Sequence, residues 1–183
     1  MESPYLDYQT LVEEAGRHHG DICHGIRLGT RMTMSGLARI GIFDPKGQDK
    51  KKLLVFAEID RCPTDAITAI TGCRPGKRSM KVRDYGKMAA TFINLETGRA
   101  VRIAAKAKGA SDPDYAVAPE DELFIIREVT VPLKPEDLPG KSLSRTVCAI
   151  CGEEILDGRE VRGNGRDLCV PCAAGEQYYQ YLP

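Results

Sequence analysis

Two CxxC pairs, Cys148-x2-Cys151 and Cys169-x2-Cys172, are separated by seventeen residues near the end of the chain. Two such pairs can fold over one ion and present four thiolates tetrahedrally, the closed arrangement of structural zinc. A second group of soft and borderline donors lies in His18-His19-Gly20-Asp21-Ile22-Cys23-His24-Gly25, which holds all three histidines. Imidazole and thiolate suit borderline-soft metals. A cysteine at a helix N-terminus faces the positive end of the dipole, which favours thiolate. The segment also reads as a polar interhelical loop with one buried cysteine, and composition does not separate the two readings.

The elements that must position these groups follow from periodicity. Tyr5, Leu6, Tyr8, Leu11, Val12 and Ala15 fall at helical spacing after Ser3-Pro4, and Gly16 or Gly20 would end that helix. A second helix is expected over His24 to Ala38, with Gly25, Gly29 and Gly36 permitting close backbone packing. Leu53 to Ala57 reads as a buried strand, Pro63 to Ile70 as a short helix closed by Gly72, and Met88 to Leu95 with Arg99 to Ala105 as a hairpin. A helical turn at Pro119 to Glu122 precedes a strand over Phe124 to Val131. The expected class is α+β, with helices packed on a mainly antiparallel sheet.

Pro132, Pro135 and Pro139-Gly140 mark residues 132–144 as a linker between a core of residues 1–131 and a module of residues 145–183. In that module Cys151-Gly152 fits a knuckle, Gly163-Asn164-Gly165 a hairpin turn, and Ala173 to Leu182 a helix that begins beside the last ligand pair. Knuckle, hairpin and helix in that order resemble a treble-clef zinc finger. Zinc contributes roughly 10 to 16 kcal/mol to such small modules, so the tail should be disordered without it unless it packs on the core. From Arg145 onward there are four basic residues against six acidic ones, a net charge of −2. That disfavours nucleic acid, which rests on a basic face.

The totals bound the rest. The 183 residues suit one medium domain with an appendage, and 26 basic residues balance 26 acidic ones, so no global field steers the chain to polyanions or anionic membrane. No apolar run approaches the roughly 18–20 residues of a membrane span. The polar start carries no signal-peptide segment, and seven cysteines with four in metal spacing point to a reducing compartment, the cytoplasm. The most basic stretch is the loop Arg74 to Arg83, in which Lys77 and Arg78, joined by Lys87, are candidate anion ligands; a solvated loop is the alternative. Gly76-Lys77 lacks the glycine spacing of a phosphate-binding loop.

Several separated motifs now bear on family. His19-Gly20-Asp21-Ile22-Cys23-His24-Gly25, Glu58-x-Asp60-x-Cys62-x-x-Asp65-Ala66-Ile67, Thr71-Gly72-Cys73-x-x-Gly76-Lys77, Asp84-Tyr85-Gly86-Lys87-x-Ala89 with Phe92, and Thr97-Gly98-x-Ala100-Val101-Arg102 resemble the FmdE family. The family is named from the E component of formylmethanofuran dehydrogenase, and the resemblance spans roughly residues 10–130. Its signature reads approximately His-Gly-His-x-Cys-Pro-Gly, so Asp21 stands where a second His is usual and His24 where Pro is usual. The resemblance implies association with a molybdenum or tungsten formylmethanofuran dehydrogenase, a link to methanogenesis, and a homodimer. Members occur with and without a treble-clef extension.

Cys62 precedes Pro63 and should cap a short helix, with Asp65 one turn on to cap it or orient a partner. If the helix N-termini meet, His19, Cys23 and Cys62 line one cleft that binds a second metal ion or holds a reactive thiol, with Asp21 as a further ligand. Cys23 is the expected ligating or reactive thiol, His19 the co-ligand or proton carrier, and Cys62 the second thiol. Cys73 reads as a further thiol or as a buried apolar residue. Two functions follow: a zinc-binding accessory or partner protein, or a free-standing metal- or thiol-dependent enzyme acting on a small anionic substrate. A zinc-finger regulator is disfavoured by the charge of the tail.

Overall fold

The computed structural model describes residues 7–107, 112–180 and 182, in two compact units that divide after Pro132. The expected helix start at Ser3-Pro4, with Tyr5 and Leu6, lies outside the described residues, as does Tyr181. Among the described residues no helix is long and apolar enough to cross a membrane.

In the first unit, α1 (Tyr8–His19) is capped by Asp7, whose Oδ1 accepts from the Gln9 and Thr10 amides at 2.7 and 3.2 Å. α2 (His24–Ile40) and α3 (Pro63–Thr71) take Cys23 and Cys62 as their N-caps. The sheet runs β2 (Met80–Val82), β1 (Leu53–Ala57), β3 (Ala89–Asn94), β4 (Ala100–Ala105) and β5 (Phe124–Glu128) in that order. β1 and β2 are parallel, with Val55 opposite Met80, and the other pairs are antiparallel. α4 (Glu120–Leu123) is a single turn that feeds β5. The expected α+β class with an antiparallel-rich sheet is what the chain adopts.

α2 lies on β3 and β4, and α1 and α3 pack against α2 and each other. Met32, Leu37, Ile40, Val55, Phe92, Val101 and Ile103 form the helix–sheet core. Val12, Ala15, Ile26, Ala66 and Ala69 form a second cluster among the three helices, with Cys23 and Cys62 packed on it. Two glycines of α2 set the helix spacing. A Cβ on Gly29 would come within 2.8 Å of the Pro63 Cα, and one on Gly25 within 2.8 Å of the Cys62 Cβ. Neither approach is available to a larger residue.

The parallel β1–α3–β2 crossover was absent from the sequence expectation, because three residues inside a basic stretch carry no strand pattern of their own. Met80 is buried, but Lys81 and Val82 are not, and pairing with the central β1 decides the conformation. The final strand stops at Glu128 rather than Val131.

The second unit holds two short hairpins, β6 (Arg145–Val147) with β7 (Glu154–Leu156) and β8 (Val161–Gly163) with β9 (Arg166–Leu168), followed by α5 (Val170–Ala174). Part of the stretch expected as a linker folds onto this module: Pro135–Asp137 is a 3-10 turn, and the buried Asp137 carboxylate accepts from Arg159 Nη2 at 3.3 Å. The last helix is shorter than expected. Gly175, at φ 70°, ends it in the left-handed region, and Tyr178 and Tyr179 do not continue it.

Candidate metal centres

Four sulfurs, those of Cys148, Cys151, Cys169 and Cys172, lie within 4.8 Å of one another. Cys148 follows β6 and Cys151 sits in the turn before Gly152, whose amide donates to the Cys148 carbonyl at 3.0 Å. Cys169 caps α5 and Cys172 lies within it. The hairpins are held in register by Asp167, which accepts from Thr146 Oγ1 at 2.7 Å while its carbonyl accepts from the Ala149 amide at 2.9 Å. The backbone amides of Cys169 and Cys151 pull the Cys148 thiol down to about 6, whereas hydrogen bonding with Cys169, aided by burial, pushes Cys172 up to about 12. Thiols this crowded share negative charge unequally, and a cation is what lets all four ionise.

The core brings a second set together. His19 ends α1, Cys23 caps α2 and Cys62 caps α3, so three helix termini meet. Their ligand atoms all lie within 4.8 Å of one another, and each residue is partly open to solvent. His19 Nδ1 is 2.7 Å from Asp65 Oδ2, and its Nε2 is 3.5 Å from Asp21 Oδ1. Asp21 therefore borders the group rather than belonging to the tight set of three.

Position at a helix N-terminus does not activate Cys62. Burial pushes its thiol up first, and hydrogen bonding to Cys23 and the charge of that sulfur push it the same way. The backbone bond at the cap opposes this and loses. The expectation of a thiolate favoured by the dipole is therefore corrected for Cys62. Cys73 takes no part: it is 3% exposed in the helix–sheet core, with its Sγ 3.9 Å from the Leu53 carbonyl.

A charge pair with no counterpart in the sequence pattern lies four residues before Cys62. Glu58, just past the end of β1, receives Arg102 Nε and Nη2 on its two oxygens at 2.6 Å each. Its backbone carbonyl also accepts from the amides of Tyr85 and Lys87. The turn from β1 into α3 is thereby fixed at the carboxyl end of the strand. An acidic residue closing an apolar strand, with an arginine inside another strand, is the signal that was available.

His24 turns away from the cysteines. Its Nδ1 is 2.9 Å from the Tyr115 hydroxyl and 3.1 Å from Asp112 Oδ1, and it borders a cavity of about 460 Å³ that includes Leu28, Met88, Lys106 and Leu123. The expected grouping of Lys77, Arg78 and Lys87 does not form. Lys77 and Arg78 precede β2 at one end of the β1–β2 pair, whereas the Lys87 amide bonds the Glu58 carbonyl at the other end.

The sequence pattern described as "FmdE, Molybdenum formylmethanofuran dehydrogenase operon" matches residues 18–123. The chain belongs to the FmdE family. The pattern of the prokaryotic dksA/traR C4-type zinc finger matches residues 141–178 of this FmdE-family chain, which agrees with the four-cysteine cluster as a zinc site. A probable S-adenosyl-L-methionine-binding protein of Archaeoglobus fulgidus is 29% identical over 102 residues, 55% of this chain and 28% of that protein. The chain thus spans little more than a quarter of that relative. A crystal structure of a tungsten formylmethanofuran dehydrogenase FmdE-like protein from Syntrophus aciditrophicus matches with a TM-score of 0.60 at 20% identity, covering 97% of this chain and 98% of that one. At that identity the likeness speaks for the fold.

Proposed function

We propose that this FmdE-family chain is a metal-binding accessory or partner protein of a molybdenum or tungsten formylmethanofuran dehydrogenase-like enzyme, with a second metal centre in its core. The observation that carries the reading is the meeting of His19, Cys23 and Cys62 within 4.8 Å at three helix termini. One imidazole and two thiolates are a fitting donor set for zinc, and three protein ligands leave a fourth position open, as in catalytic rather than structural sites. Asp21, or a ligand from outside, would complete it. The raised Cys62 thiol argues against free-thiol chemistry there, because burial and a neighbouring sulfur disfavour an isolated thiolate.

The tail is read as a treble clef whose zinc is structural, and its net charge, four basic against six acidic residues, supports a protein rather than a nucleic acid as its partner. Free cysteines throughout fit a reducing cytoplasm. Pairing into a homodimer belongs to the same proposal; β5 ends the sheet and exposes Ile125.

Metal analysis of the purified chain tests the centre. Two ions per chain are expected, falling to one in Cys23→Ser or His19→Ala; one ion in the parent chain sinks the reading. Co-purification with components of a molybdenum or tungsten enzyme separates the partner from the second reading, a free-standing enzyme. Turnover of a small anionic substrate by the isolated chain would favour that second reading. It is kept because the core ligands are partly exposed.

A further inference from the structure

His19 could offer a metal either ring nitrogen, and the two lead to different sites. We infer that Asp65 is the positioning residue of the core centre, holding a proton on Nδ1 so that Nε2 is the nitrogen presented between Cys23 and Cys62. The inference rests on the proposed core centre and deepens it.

Two carboxylates flank the ring, and their distances decide between them. Asp65 Oδ2 lies 2.7 Å from Nδ1, a short charge-assisted hydrogen bond, while Asp21 Oδ1 lies 3.5 Å from Nε2, longer than an ordinary hydrogen bond. Asp21 is also the more exposed of the two, 73% against 44%, so water competes for it more effectively. A neutral imidazole carries one proton. The shorter contact takes it and leaves the lone pair on Nε2. Metal-binding histidines usually donate their other N–H to a carboxylate in this way, which fixes the tautomer and raises ligand basicity.

The placement of Asp65 adds to this. It stands in the first turn of α3, three residues after Cys62, and its amide donates to the Cys62 carbonyl at 3.1 Å. Ligand and positioning residue therefore ride on one turn of one helix. Any shift of α3 that moves the sulfur also moves the carboxylate that aims the ring.

The test uses the full chain and two readouts. Long-range ¹H–¹⁵N correlation of the imidazoles, above the ordinary imidazole titration range and with His19→Gln for assignment, should show His19 protonated at Nδ1 in metal-free protein. Asp65→Asn should shift the ring toward the Nε2–H form, and Asp65→Glu should restore the parent pattern. In chelator competition with zinc, Asp65→Asn should weaken the core site by roughly 10- to 100-fold and leave the tail zinc unchanged, with partial recovery in Asp65→Glu. An Nε2–H ring in the parent protein, or unchanged core affinity in Asp65→Asn, overturns the inference. If the parent chain takes up no core ion, the proposed centre fails instead, and the spectrum of the metal-free chain still decides the role of Asp65. Should Asp65→Asn not fold, the parent spectrum and Asp65→Glu carry the decision.

Discussion

Gly25 touches Cys62 so closely that a Cβ on the glycine would stand 2.8 Å from the Cys62 Cβ and 3.3 Å from its Sγ. The first turn of α2 thus seats directly on the cap of α3. Gly25→Ala is expected to push Cys62 out of the group of three. Overpacking at such a contact costs about 1–3 kcal/mol. The variant should melt earlier and hold less core metal with its tail zinc intact. Unchanged metal content would mean that the contact does not govern the site.

The Glu58–Arg102 pair should matter more for stability than for ligand chemistry. Glu58→Gln leaves the partly buried guanidinium without its counter-charge, and loss of such charge-assisted bonds costs about 1.5–3 kcal/mol. Urea unfolding of the core measures it. A midpoint within error of the parent would show that the pair is solvated in solution.

Zinc removal should act locally. The module offers few large buried side chains, chiefly Ile155, while Val147, Ile150, Val161 and Val170 are exposed. Cys169→Ser, or chelator, is therefore expected to make residues 145–180 protease-sensitive while residues 7–107 stay resistant. A tail equally resistant with and without metal would contradict the four-cysteine site as its main support.

Metal uptake by the core should release protons. The Cys62 thiol is raised above its ordinary value of 9.0 by burial and by Cys23, so at pH 7 it is protonated before binding and must lose that proton to ligate. Affinity should therefore rise with pH through the neutral range and fall on acidification. Calorimetry at pH 7 in buffers of different ionisation enthalpy reads the release, with Cys169→Ser separating the core from the tail. For the same reason Cys62 should alkylate slowly at pH 7 without metal. Rapid reaction there would revive the reactive-thiol reading.

The helices and most strands were legible because their signals are local. Alternating or 3.6-residue apolar spacing, Pro63 at a helix start and Gly72 at its end, and the short turn between β3 and β4 all lie within a few residues of what they specify. β2 was not legible, since its three residues become a strand only by lying beside β1. α5 was overextended because the residues after Gly175 suit a helix, and only the left-handed glycine shows where it stops. At the core site, the helix caps could be read from Cys23 and Cys62-Pro63, and Asp65 was visible one turn on. Distant pairings left no pattern: His24 meets Tyr115 across 91 positions, and Glu58 meets Arg102 across 44. Lys87 shows the converse error. Basic residues near in sequence were grouped, but the strand between them holds them apart.

Helix ends are the places where a folded chain frays first, and His19, Cys23 and Cys62 each occupy one. An ion gripped by all three would act as a rivet through α1, α2 and α3, slowing amide exchange in those three stretches together. Loading the centre would then stiffen a whole helical layer from a single point, and emptying it would loosen that layer as one piece.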